Sequence, residues 1–222
     1  MKTLSLTGFL MLITIYPNLL AQDPARDFLD AYNLNQEIHG KKSKDLSNIK
    51  GSPYFTDEFT DAEVYLKDKR AFKLPLRYNI YNNSMEYQIK DDVLEIGNPE
   101  SIDKIIQGTR VFVYLPFIEK GGYFELLSSG RCFLALKRSV KFKPAEPLMP
   151  YQDPKPDRFE AGNDQLYLIT NDNQINEIKN LKTLLNVLND KKSLLESFMK
   201  KEKIKNPKQE NVVKLINYYN SL

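Results

Sequence analysis

Residues 73–89 read KLPLRYNIYNNSMEYQI, and the alternation on either side of Asn82-Asn83 decides the fold class. Asparagine tolerates positive φ, so the pair suits a two-residue turn. Folding the stretch there sets Ile80 against Met85, Tyr78 against Tyr87 and Leu76 against Ile89. The other face pairs Tyr81 with Ser84, Asn79 with Glu86 and Arg77 with Gln88. One face is apolar and the other polar, and a slip of one residue would set every apolar side chain against a polar one. A second tight loop at Asp91-Asp92 sets Ile89 against Leu94 and Tyr87 against Ile96. Together they predict a three-stranded antiparallel meander with one apolar face.

Further hairpins follow. Gly108-Thr109 separates KII from RVFVYLPF, and Ser129-Gly130 separates YFELLS from RCFLALKRSVKF. The second turn predicts Leu127 opposite Cys132 and Leu126 opposite Phe133. About eight strands joined by short turns predict an antiparallel sheet, strongly curved or partly closed. Five prolines lie between Pro144 and Pro156. A strap across the sheet, anchored by Leu148, Met149 and Tyr151, accounts for them; a proline-rich recognition segment is the alternative.

The last part reads as helix. Leu181, Leu184, Leu185 and Leu188 share a face, as do Leu194, Leu195, Phe198 and Met199, then Val212, Leu215, Ile216 and Tyr219. Asn206 is the expected N-cap of the last helix, with Pro207 at its first position and Gln209 in a capping box. The expectation is that these helices cover the apolar face of the meander; a basic amphipathic helix on a membrane surface is the other reading. The fold class is therefore α+β. The expected layout is a leader at 1–21, a polar segment at 22–50 and one domain at 51–222. Within it lie the meander (51–143), the strap (144–157), a strand return (158–175) and the helical part (176–222).

Composition bounds the function. The chain has 222 residues, is 41% hydrophobic and carries 13 tyrosines and 12 phenylalanines, enough for a sizeable core. MKTLSLTGFLMLITIYPNLLAQDP has the layout of a secretory signal peptide cleaved between Ala21 and Gln22. The expected location is the periplasm or outside the cell, with no membrane span left after cleavage. Cys132, the only cysteine, can form no internal disulfide and lies too far along for a lipid anchor at the mature end. The net charge is +3, and residues 176–222 hold ten lysines against five acidic side chains. A mildly basic tail on a slightly acidic body does not read as a nucleic-acid-binding face.

Candidate chemistry is sparse. His39, the single histidine, lies in a polar stretch, so no Ser–His or Cys–His machinery and no zinc set is legible. No phosphate loop, dinucleotide fingerprint or EF-hand spacing occurs, and no metal or cofactor is expected. GSPYFTDEFTDAEVYL gathers Asp57, Glu58, Asp61 and Glu63, which could serve as acid and base or hold Ca²⁺, although a charged turn explains them as well. Arg77, diagonal to Glu86, is explained by a surface ion pair. With Tyr81 beside it, an aromatic-plus-arginine patch is the functional alternative. The candidate binding surface is thus Arg77, Tyr81, Glu86, Asp57 and Glu58.

In order along the chain, the leader, GSPYFTDEF, PLRYNIYNNSMEY, FVYLPF, GYFELLSSGRCFLALKR, the proline strap and VVKLINYYNSL resemble an uncharacterised family of small exported proteins from Bacteroidota-type Gram-negative bacteria. The resemblance covers most of residues 46–222 and implies an envelope location without supplying catalytic residues. Three function classes follow: a non-enzymatic binding or assembly protein of the envelope, with an envelope protein as partner; a periplasmic carrier of a lipid or other apolar ligand; and a hydrolase using the Asp57–Glu63 carboxylates.

Overall fold

Period-two burial organises the chain from residue 60 onward. In strand β1 (Thr60–Leu66), Ala62, Val64 and Leu66 are buried, and in β2 (Ala71–Asn79) Leu74, Leu76 and Tyr78 are. The computed structural model describes Phe28 and residues 41–116, 118, 121–147, 153, 155–172 and 174–222. The meander continues through β3 (Ser84–Ile89) and β4 (Asp92–Glu95), followed by β5 (Ile102–Gln107) and β6 (Arg110–Tyr114). Next come β7 (Tyr123–Ser128), β8 (Cys132–Lys137) and the short β9 (Val140–Lys143) and β10 (Arg158–Ala161). Strands β11 (Gln165–Thr170) and β12 (Ile175–Glu177) precede helices α1 (Leu181–Val187), α2 (Lys192–Lys201) and α3 (Gln209–Asn220). No helix among the described residues is long and apolar enough to cross a membrane.

Ten strands form one open antiparallel sheet in the order β12-β11-β8-β7-β6-β5-β1-β2-β3-β4, and β9 pairs with β10 as a separate ribbon. The layout is α+β, as expected, with more strands than the eight anticipated. The additional elements β9 and β12 have only four and three residues, too few to show a period.

The meander has the predicted faces in a different register. Tyr78 pairs with Met85 and Arg77 with Glu86, two residues away from the expected pairing. The turn is a four-residue loop, Ile80–Asn83, in which the Asn79 side chain accepts a hydrogen bond from the Asn82 N–H at 3.0 Å. Asn83 adopts φ +51° there. Strand β3 meets β4 with Tyr87 opposite Leu94, again shifted by two, so the turn is Lys90-Asp91. A shift of two preserves the faces, which is why alternation alone could not exclude it. The Gly108-Thr109 turn forms as expected, with Gln107 opposite Arg110. Between β7 and β8 a bulge at Leu127 displaces the expected partners, and Leu126 faces Ala135.

The sheet curls. Tyr78 on β2 and Phe112 on β6 are three strands apart, about 14 Å in a flat sheet, yet their ring centroids lie 5.4 Å apart. The Tyr78 hydroxyl donates to Asn83 Oδ1 at 2.8 Å and to the Tyr123 carbonyl on β7 at 3.2 Å. Asn83 Oδ1 also accepts from the Tyr123 N–H at 3.0 Å. The β2–β3 turn is thereby tied to the start of β7, and the concave side fills with its own side chains. Leu76, Met85 and Ile105 are fully buried, with Tyr78, Tyr87 and Phe112 nearly so and Phe28 packed on Phe72 and Tyr87.

The helices therefore cover a different part of the sheet from the one expected. They pack on β7, β8 and β11, where Leu134, Leu136 and Leu168 meet Leu184, Leu195, Val212, Leu215 and Ile216. The curl has already covered the meander's apolar face. Leu194 is 46% exposed and leaves its expected stripe. Helix α3 starts two residues beyond the expected point: Asn206 Oδ1 accepts from the Lys208 N–H and from Asn211 Nδ2, while the Asn211 and Val212 N–H groups donate to the Lys208 carbonyl. The described part of the proline strap is the loop of the β9–β10 ribbon, closed by the Glu146 N–H donating to the Lys155 carbonyl at 2.9 Å. Its expected anchors Leu148, Met149 and Tyr151 lie outside the described residues, as do residues 1–21 and His39.

Candidate functional site

The residues around the opening hairpin divide into two groups. Glu86, expected on the surface, is fully buried. Its Oε2 accepts from Arg77 Nη2 at 2.7 Å and Nε at 3.1 Å. Its Oε1 accepts from Asn79 Nδ2 at 2.8 Å and Ser43 Oγ at 2.6 Å. The ion pair is buried because residues 41–59 lie over it. The Arg77 guanidinium is sandwiched between the Tyr54 ring at 3.7 Å and the Phe59 ring at 4.5 Å, and its Nη1 donates to the Asp57 carbonyl at 3.2 Å. Arg77 and Glu86 thus clamp the leading segment onto β2 and β3.

Tyr81 points elsewhere. Its ring lies 5.1 Å from Phe159 and 6.4 Å from Phe142, capping the β9–β10 ribbon. The aromatic partners of Arg77 are Tyr54 and Phe59 instead. A parallel clamp lies further along the sheet. Glu125 Oε2 accepts from Arg138 Nη2 at 2.6 Å and Nε at 3.2 Å, Arg110 approaches Glu125 at 3.4 Å, and Arg138 also reaches Asp164 at 2.9 Å. Phe55 lies beneath both arginines.

Of the carboxylates at 57–63, Asp61 and Glu63 line one cleft beside Lys73. Asp57 accepts from the Ser52 hydroxyl, and Glu58 is exposed. Glu63 takes hydrogen bonds from the Tyr65 hydroxyl at 2.7 Å and from Lys73, and these hold its carboxyl below the usual range, the opposite of what a general acid needs. Among the described residues no three His, Cys, Asp or Glu side chains are placed to hold a metal ion. Burial pushes the Cys132 thiol up to about 11, so it stays protonated near neutral pH.

Side-chain amides collect at the opposite edge of the sheet. A cleft of about 690 Å³ lies between the β11–β12 turn and α1, with the last turn of α3 beneath. Asn171, Gln174, Asn176, Asn186 and Asn189 line it; the Gln174 side chain bonds Asp172, while the side-chain amides of Asn176 and of the exposed Asn171, Asn186 and Asn189 have no partner among the described residues. The Asn176 Nδ2 is buried as well. Asn176 pairs with Leu168 across the sheet, so strand alternation turns its amide to the side where the helices pack. The frame is well braced. The Thr170 N–H donates to the Gln174 carbonyl at 3.0 Å, and Asn180 caps α1 by accepting from the Thr183 N–H at 2.8 Å. Asn220 on α3 accepts from the Cys132 N–H at 3.0 Å and donates to its carbonyl at 3.1 Å.

Sequence reasoning missed this cleft. A signal was present: TNDNQINEIKNLKTLLNVLND, residues 170–190, is dense in asparagine. Its residues belong to a turn, an edge strand and a helix, so no spacing rule gathers them. No family model matches the chain, and neither curated proteins nor solved structures give a match.

Proposed function

We propose that this chain is an exported, non-enzymatic binding protein of the cell envelope that holds its ligand in the cleft between the β11–β12 turn and α1. The observation that carries the reading is the convergence of five side-chain amides on one cleft, one of them, Asn176, with a buried donor that has no partner. A buried polar group without a partner costs about 1–3 kcal/mol, and such a group retained in a ligand-sized cleft is readily explained by a ligand that satisfies it. The charged clusters, by contrast, satisfy one another. The leader-like stretch at 1–21 and the family resemblance support export. A carrier would need a free apolar cavity of several hundred Å³. The concave side of the curl is filled by Leu76, Tyr78, Met85, Tyr87 and Phe112, so the binding reading is preferred.

Two measurements test it. Native mass spectrometry of the exported chain should show a protein beginning at Gln22 with no retained apolar molecule; a lipid that leaves on denaturation would favour the carrier. Adding solubilised envelope material from a Bacteroidota-type bacterium to the ¹⁵N-labelled chain should shift the side-chain amide resonances of Asn176, Asn186 and Asn189 ahead of others. Resonances that stay in place would overturn the reading.

A further inference from the structure

We propose that the amide-lined cleft recognises neutral carbohydrate, the hydroxyl-rich end of a glycan. The inference rests on the binding reading above and names the ligand class. Each side-chain amide offers donors and an acceptor a few ångströms apart, and each sugar hydroxyl donates once and can accept as well. Asn171, Gln174, Asn176, Asn186 and Asn189 therefore match a polyol group for group, and no formal charge is needed on either side.

The charged residues at the cleft agree with this. Asp172 is hydrogen-bonded by the Thr170 hydroxyl and stays ionised below the usual carboxyl range, an acceptor for hydroxyl donors. Asp190 shares both oxygens with the Tyr219 hydroxyl at 3.2 Å and lies on the same wall. Arg131 is the one cationic side chain of the lining, and its guanidinium lies 5.4 Å from the centre of the Tyr219 ring. An anionic ligand would meet two carboxylates for one arginine. An apolar ligand would strip water from the four asparagine amides without replacing it, a penalty for each. The volume of about 690 Å³ lies within the range of small-ligand sites and suits a short oligosaccharide.

Asn176 is the decisive residue. Its position on β12, opposite Leu168, is one where an aliphatic side chain would extend the apolar layer, yet its Nδ2 is buried and unpartnered. A ligand hydroxyl that reaches this donor after a rotation of the Asn176 side chain displaces no internal hydrogen bond.

The test uses the full mature chain, residues 22–222, on an array of neutral and acidic oligosaccharides, with calorimetry on the strongest neutral binder. At least one neutral oligosaccharide should bind, with an affinity insensitive to salt. Asn176→Leu and Asn186→Ala should each weaken it at least about tenfold. Circular dichroism should be unchanged for both, and Asn176→Leu should melt no lower than the parent, so lost binding would not reflect misfolding. No neutral oligosaccharide above background, or binding indifferent to both substitutions, overturns the proposal. A neutral glycine-serine peptide is added in parallel to the ¹⁵N-labelled chain. If the peptide alone shifts the cleft amides, the cleft binds but the carbohydrate assignment is wrong. If envelope material, saccharide and peptide all leave them unmoved, the binding reading fails too.

Discussion

Glu86 shows how one side chain can organise a surface. It accepts from Arg77, Asn79 and Ser43 with no solvent contact, so three parts of the chain meet on one carboxylate. Removing one partner of a buried ion pair costs far more than the pair contributes, because the other charge remains desolvated. Glu86→Ala is therefore expected to destabilise the protein by about 3–5 kcal/mol, measured by urea denaturation. The double replacement Arg77→Leu/Glu86→Leu should recover much of that loss, since it leaves no unpaired buried charge. If the single and double variants are equally destabilised, the clamp acts through packing instead. Sequence showed Arg77 and Glu86 as neighbours across a hairpin. That residues 41–59 would bury them was not legible, because this segment reaches them through loops without a period.

The helical elements are defined by which of their apolar residues find the sheet. Leu215 is fully buried on α3, the helix that packs on β7, β8 and α2, whereas Leu194 on α2 is 46% exposed although its spacing placed it in a stripe. Leu215→Ala should cost about 2–5 kcal/mol and Leu194→Ala less than about 0.5 kcal/mol, both read from urea midpoints at constant slope. Equal effects would mean that α2 packs differently. The bend at Gly51 is a second element-level constraint. Its φ is +84°, and an added Cβ would lie 2.6 Å from the Phe159 carbonyl oxygen, where Lys50 pairs with the β10 end of the ribbon. Gly51→Ala should destabilise by more than about 1 kcal/mol by thermal melting; a neutral result would mean that the ribbon moves freely away.

For the molecule as a whole, ionisation sets two limits on stability. The carboxyls of Glu63, Asp68, Glu146 and Asp172 are held below their ordinary values by hydrogen bonds from Tyr65, Arg70, Lys155 and Thr170 respectively. Lowered folded values add stability that is complete above the usual carboxyl range, near about pH 4, and lost as pH falls through the folded values. At the alkaline end the sign reverses. Cys132 is raised from 9.0 to about 11 by burial, and Tyr54 and Tyr219 are also raised by burial. The unfolded chain then releases protons first, so stability falls from about pH 9 to 11. Melting temperature against pH should form a plateau with a fall on each side. Iodoacetamide should label Cys132 slowly in the native protein until pH nears the upper limit, and at the ordinary thiol rate in urea.

Alternation in the 74–96 stretch was enough to specify an antiparallel meander with one apolar face, because side chains on a strand repeat every two residues. The same argument could not choose between registers two residues apart. The hydrogen bond from the Asn82 N–H to Asn79 and the left-handed Asn83 made that choice through local turn chemistry. Helical spacing likewise identified the stripe Val212, Leu215, Ile216 and Tyr219, but not the strands it would cover. That depended on the curl, in which Tyr78 meets Phe112 and Tyr123 and leaves β7, β8 and β11 for the helices. The cleft was furthest from view. Its amides come from a turn, an edge strand and a helix, and only the packing of α1 over the end of the sheet brings them to one wall. Periodicity is a property of neighbours in the chain, whereas a site is a property of neighbours in space.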